Sequence, residues 1–166
     1  VIFLVIIMTP IKRCYDLGTS VDTFNRPSDT TAYSIGDVIS PTVTRSLNFP
    51  VSVYPLGIYL SRVYLVTNKS SHIEALRLHL SLTASTLLAV DNLPLTMNVS
   101  PVGVIDFTDW KQSGNFASCE GSFGRFLQIS PNYAQAALFG LLESRSAFTP
   151  NADQTFSVSI YTEASI

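Results

Sequence analysis

Glu74-Ala75-Leu76-Arg77-Leu78-His79-Leu80-Ser81-Leu82-Thr83 is the stretch whose reading decides the fold. Leu76, Leu78, Leu80 and Leu82 fall on one side of an extended chain; Ala75, Arg77, His79 and Ser81 fall on the other. Leucine favours helices, but a helix would scatter these four around its circumference. The period of two wins, and the segment reads as a strand with one buried face.

The neighbours carry the same signal. Upstream, Gly57 to Asn68 is rich in β-branched and aromatic residues (Ile58, Val63, Tyr64, Val66) and reads as a strand. The polar turn Asn68-Lys69-Ser70-Ser71-His72 follows it. Downstream, Thr86 to Asp91 reads either as a short helical turn or as an irregular crossing. Asp91-Asn92-Leu93-Pro94 is a turn, Leu95 to Val99 is one helical turn or a strand, and Val102 to Phe107 is a strand. Asp109 to Asn115 reads as a loop or distorted segment, Ala117 to Gly124 as a run rich in small residues, and Arg125 to Ile129 as a short strand. Ala134 to Ser144 begins like a helix, yet Leu138, Gly140 and Leu142 alternate against Phe139 and Leu141, which predicts a strand buried on both faces. Thr155 to Thr162 alternates again, with Phe156, Val158 and Ile160 on one face. About eight strands with turn signals roughly every 8–12 residues predict an all-β sandwich or barrel.

The first part of the chain is less regular. Residues Thr9 to Asp22 show no clean period and read as an arm, so residues 1–22 are expected to be an N-terminal arm and 23–166 the β-sandwich domain. The opening run Val1-Ile2-Phe3-Leu4-Val5-Ile6-Ile7-Met8 is apolar throughout. It is too short for a bilayer span, which needs about 20 residues. Lys12 and Arg13 follow the run where a signal peptide would place them before it. Two readings stand: a buried or partner-docked strand, or an over-extended start with translation beginning at Met8. Val21 to Asn25 has the residues of a short strand, and Arg26-Pro27 breaks it. Ser28-Asp29-Thr30-Thr31 is turn chemistry, and Tyr33 to Ile39 resumes as a strand around Gly36-Asp37. Ser40 to Pro55 reads as a loop with an edge strand at best.

Composition bounds the function. Hydrophobic residues make up 46% and charged residues only 13%, against roughly 25% charged in ordinary soluble domains. A surface so sparse in charge suits a subunit packed against others. The net charge is −2 with no basic stripe, so direct nucleic-acid binding has no electrostatic footprint. Cys14 and Cys119 are too few for a disulfide scaffold and read as free thiols.

Candidate chemistry is thin. His72 sits in a turn and His79 on the polar face of a strand, without the three or four clustered ligands that a zinc site needs. Asp106, Asp109 and Glu120 would form a carboxylate cluster if their loops converged, but loop carboxylates more often cap backbone donors. A Cys119–His79–Asp nucleophile set requires a depressed thiol pKa and hydrogen-bond reach, and nothing around Ser118-Cys119-Glu120 signals either. Gly121-Ser122-Phe123-Gly124 precedes no helix and is not a phosphate loop. Asn68-Lys69-Ser70 and Asn98-Val99-Ser100 match the glycosylation pattern. Trp110, Phe116, Phe123, Phe126 and Tyr133 would suit a sugar-stacking platform, and the plainer reading is core filling and subunit contact. No catalytic, cofactor-binding or metal-binding residue is therefore assigned, no cofactor is expected, and an enzyme is not expected.

One family resemblance adds to this. The stretch Phe24 to Ile39, with its Arg26-Pro27 break and Tyr33-Ser34-Ile35-Gly36-Asp37 turn, resembles the opening of small all-β structural proteins of tailed bacteriophages. The order of the later pieces is similar too: the alternating strand Leu76 to Leu82, the Asp91-Asn92-Leu93-Pro94 turn, the Gly103-Val104-Ile105-Asp106-Phe107 strand, the loop Trp110 to Gly114, and the closing strands Ala137 to Leu142 and Thr155 to Tyr161. Over roughly residues 23–162 the chain looks like a capsid decoration (cement) or head-associated protein. The resemblance implies a jelly-roll-like antiparallel β-sandwich, a homotrimer that binds the major capsid protein, and a place in the virion on the phage head. Neither direct nucleic-acid binding nor a membrane is expected. In phage proteins of this kind the glycosylation patterns are false positives. The alternative is a carbohydrate- or receptor-binding β-sandwich of a tail or baseplate, which exposed paired aromatics would favour and a buried Trp110 would oppose.

Overall fold

The computed structural model describes residues 14–41, 45–51, 58–82, 90–96, 101–122, 128–129 and 137–165. Among them every regular element is a strand: β1 (Cys14–Asn25), β2 (Val38–Ile39), β3 (Leu47–Pro50), β4 (Ile58–Thr67), β5 (Leu76–Ser81), β6 (Gly103–Phe107), β7 (Trp110–Ser113), β8 (Phe116–Glu120), β9 (Gln128–Ile129), β10 (Ala137–Ser144) and β11 (Thr155–Ser165). All pairings are antiparallel. One sheet runs β1-β11-β4-β8-β7, with β9 beside the start of β4; the other runs β2-β10-β5-β6, with β3 on the same edge of β10 as β2. The first strand lies beside the last, and the chain passes back and forth between the sheets. This is the strand order of a jelly roll.

The core lies between the sheets and follows from the alternations. Leu76, Leu78 and Leu80 face it fully buried, opposite Leu65, Val63, Phe156, Val158 and Ile160 of the other sheet. Leu82, just past β5, is partly buried against the same cluster. In β10, Leu138 and Leu142 point inward; Leu141 and Glu143 on the other face are buried as well, so the strand is covered on both faces as its pattern predicts.

Two features tie the sheet edges together. Asp106 of β6 and Ser122 exchange both backbone hydrogen bonds, at 3.1 and 2.8 Å. The chain reaches Ser122 from β8 by crossing at Gly121, where an added Cβ would lie 2.3 Å from Ile105 Cγ2. Only glycine allows the backbone to pass so close to the opposite layer. On the other side, Asp22 of β1 accepts from the Arg45 guanidinium at 2.6 and 2.7 Å and from the Asn48 N–H of β3 at 2.7 Å. Burial opposes ionisation of Asp22, but these donors outweigh it and hold the carboxyl below its ordinary value.

Several expectations need correction. The N-terminal arm assigned to residues 1–22 does not hold from Cys14 onward: β1 pairs with β11 along its whole length. Its Val21 is exposed and its Asp22 is bonded sideways, so an edge strand with little to bury shows no apolar period. Residues 1–13, including the apolar run, lie outside the described residues. Trp110 to Ser113 is an edge strand rather than a loop, hidden because Lys111, Gln112 and Ser113 all face solvent. The small residues after it form β8, with Ala117 and Cys119 turned inward.

Candidate interaction surface

The connections at one end of the sandwich gather the exposed apolar side chains. This end holds the close of β4 at Thr67, the start of β5 at Leu76, and the ends of β6 and β10. Eight large hydrophobic residues are exposed among the described residues; Ile35, Ile73, Val90, Leu93 and Phe116, five of the eight, lie here. Ile35 and Ile73 are each 67% exposed. Ile35 and Leu93 lie on segments bonded to one another, so the apolar side chains of these two segments share one stretch of surface.

Backbone bonds hold part of this end in place. Val38 N–H donates to Leu93 O at 2.9 Å, Asn92 N–H to Val38 O at 2.9 Å, and Leu95 N–H to Gly36 O at 2.8 Å. The turn below Ile35 closes with Asp37 N–H on Ser34 O at 3.2 Å and requires a φ of 94° at Gly36, a conformation suited to glycine. Beneath the two segments lies a buried polar network. The Arg26 side chain is fully buried. Its Nε donates to Tyr33 Oη at 2.8 Å, and its Nη2 donates to Asp29 Oδ1 at 3.1 Å and Asp91 Oδ2 at 3.2 Å. Its Nη1 donates to the carbonyl of Asp29. Tyr33 Oη–H donates to Asp91 Oδ1 at 2.6 Å, and Ser40 N–H donates to the same oxygen at 2.9 Å. Burial, and then the hydrogen bond to Asp91, push the Tyr33 phenol far above its ordinary pKa. The network pins the segments that carry Ile35, Val90 and Leu93.

The residues singled out as candidates for chemistry are dispersed. Cys119 is buried on the core face of the first sheet, where burial raises its thiol pKa. His79 stands on the outward face of the second sheet with Nε2 2.6 Å from Glu143 Oε2. The two never meet, so the nucleophile set fails. Asp106 is held by Arg77 through two hydrogen bonds of 2.6 and 2.8 Å, with its carboxyl lowered chiefly by that contact. Glu120 and Asp109 are exposed. Among the described residues no group of three or more His, Cys, Asp or Glu is placed to hold a metal ion. Nor is any helix there long and apolar enough to cross a membrane.

The aromatic platform is not assembled from its described members. Trp110 is partly buried, donates Nε1–H to Glu74 O at 2.8 Å and meets the ring of His72. Phe116 leaves the opposite face of the β7–β8 hairpin, out of register with it. Phe123, Phe126 and Tyr133 lie outside the described residues. His72, read as a polar turn residue, is instead fully buried. Its position next to Ile73 in a polar turn gave no sign of that; the aromatic partners come from far along the chain. No protein-family model matches the chain, and no curated protein matches it.

Proposed function

We propose that the protein is a structural subunit of a tailed-phage virion, a capsid decoration (cement) protein that associates as a homotrimer and binds the major capsid protein on the phage head. The observation that carries this reading is the loop end where Ile35, Val90 and Leu93 stand exposed on segments pinned by the Arg26–Tyr33–Asp91 network, with Ile73 and Phe116 exposed at the same end of the sandwich. Apolar side chains on a preorganised frame lose little entropy on docking and bury surface that water solvates poorly. The low charge of the chain and the jelly-roll architecture, an arrangement used by capsid and lectin domains alike, support the same reading. The partly buried Trp110, occupied by Glu74 and His72, weighs against the sugar-binding alternative. Co-sedimentation of the purified protein with empty phage capsids, beside its sedimentation velocity at micromolar concentration, tests the proposal. Capsid binding by a trimer is expected; a monomer that stays in the supernatant would overturn it.

A further inference from the structure

His72 sits under the exposed loop end as a filler of apolar space. Its ring meets Trp110 of β7 at 4.4 Å, Phe148 at 5.1 Å and Phe156 of β11 at 6.0 Å, edge to face in each case. Neither ring nitrogen has a hydrogen-bond partner. Nδ1 lies 2.9 Å from Glu74 Oε2 but outside hydrogen-bond geometry. That carboxylate is already engaged: it accepts Ile73 N–H at 2.9 Å and lies 3.6 Å from Lys69 Nζ. Glu74 and Lys69, both on the same turn, are the charged groups that face the ring among the described residues; β7, Phe148 and β11 offer it only aromatic rings.

We propose that His72 is an acid-operated latch: charging its ring releases the β4–β5 turn, residues 68–75, from Trp110 and Phe148 while the two sheets stay folded. A neutral imidazole suits the aromatic box; an imidazolium enters it stripped of water and without a directed acceptor. Burial pushes His72 down to about 4, with Glu74 opposing and Lys69 reinforcing. The released ring would titrate near 6.5, so acid favours the open form progressively as the pH falls from 6.5 towards about 4. The ends of the turn are anchored: Thr155 N–H donates to Asn68 Oδ1 at 2.9 Å and Asn68 N–H to Thr155 O at 3.4 Å, while Arg145 N–H donates to Ala75 O at 2.8 Å and Ala75 N–H to Ser146 Oγ at 3.0 Å. Between those ends the hydrogen bonds to other segments are Lys69 Nζ to Thr149 O at 2.9 Å and Trp110 Nε1–H to Glu74 O at 2.8 Å. A segment held at its ends and lightly between them can open without global unfolding.

Trp110 is the single tryptophan of the chain, so its fluorescence reads the latch directly. Titration of the full chain from pH 8 to 3.5 should show a fluorescence transition between pH 6 and 4 with an unchanged far-ultraviolet circular dichroism spectrum. Amide exchange, corrected for intrinsic rates, should show loss of protection at 68–75 of at least tenfold over the same range, with β4 and β11 still protected. His72→Leu should abolish both changes. If that variant does not fold, nuclear magnetic resonance titration of the two histidines in the wild type, with His79→Gln for assignment, replaces it. His72 titrating without exchange at 68–75, exchange that sets in only with global unfolding, or a transition retained in His72→Leu would each overturn the proposal.

Discussion

Tyr33 Oη–H donates a 2.6 Å hydrogen bond to Asp91 Oδ1 across 58 residues of sequence, and both side chains converge on the buried guanidinium of Arg26. The bond joins the turn that presents Ile35 to the turn that presents Val90 and Leu93. Removing one partner of a buried ion pair leaves the other charge uncompensated, at a cost of about 3–5 kcal/mol. Asp91→Ala should lose about the lower end of that range in urea unfolding, because the half-exposed Asp29 still pairs with the guanidinium. Tyr33→Phe should lose less, about 1.5–3 kcal/mol, the value of a hydrogen bond to a charged group. Equal, negligible losses would mean that the network does not hold the loop end.

The same phenol predicts an alkaline limit. Its folded pKa is raised above the unfolded value by burial and by Asp91. The sign follows: this stabilisation is fully present below about pH 10, the unfolded tyrosine value, and fades as the pH rises beyond it, because the unfolded chain ionises first. The difference in Tm between wild type and Tyr33→Phe should therefore narrow from pH 9 to pH 11. A constant gap across that range would show that Tyr33 ionises as easily folded as unfolded.

Gly121→Ala tests the crossing between the sheets. The new methyl would overlap Ile105 Cγ2 and sit 2.9 Å from Phe107 Cε1, and both neighbours are buried core groups. Overpacking of this kind costs about 1–3 kcal/mol. Pairing it with Ile105→Leu should recover part of the loss, since leucine is unbranched at Cβ and the clashing Cγ2 is then removed. A Gly121→Ala variant of wild-type stability would mean that the two layers are further apart at this point.

Deletion of residues through Asp22 should destabilise the sandwich rather than leave it untouched. It removes most of β1 from its pairing with β11, and with it the Asp22 bonds to Arg45 and Asn48. A fall in Tm of roughly 5 °C or more is expected for the loss of a few kcal/mol from a domain of this size. An unchanged Tm would restore these residues to the status of a dispensable arm.

What was legible in the sequence was the interior. Leu76 to Leu80, the β-branched run of β4 and the two-sided burial of β10 are read correctly because burial on a sheet imposes a period of two. The edges were not legible. β1 and β7 pair on one side and face solvent for much of their length, so no apolar pattern is imposed on Asp22, Lys111 or Gln112. Arg26 and His72 show a second limit. A buried arginine is tolerated only through partners such as Asp91, 65 residues away, and a buried histidine through aromatic rings from three separate segments. Neither arrangement leaves a local signature; a polar turn looks the same whether its histidine points out or in.

Under the function proposed above, the loop end docks onto a capsid. Ile35 and Leu93 are exposed, so Ile35→Asp with Leu93→Asp should change stability by no more than about 1 kcal/mol in total. The deciding measurement is co-sedimentation of wild-type and doubly substituted protein with empty phage capsids, each checked by thermal unfolding. Wild type should pellet with capsids, and the variant should bind at least tenfold more weakly at an unchanged Tm. Undiminished binding by the variant, or no binding by the wild type, would contradict docking through this end.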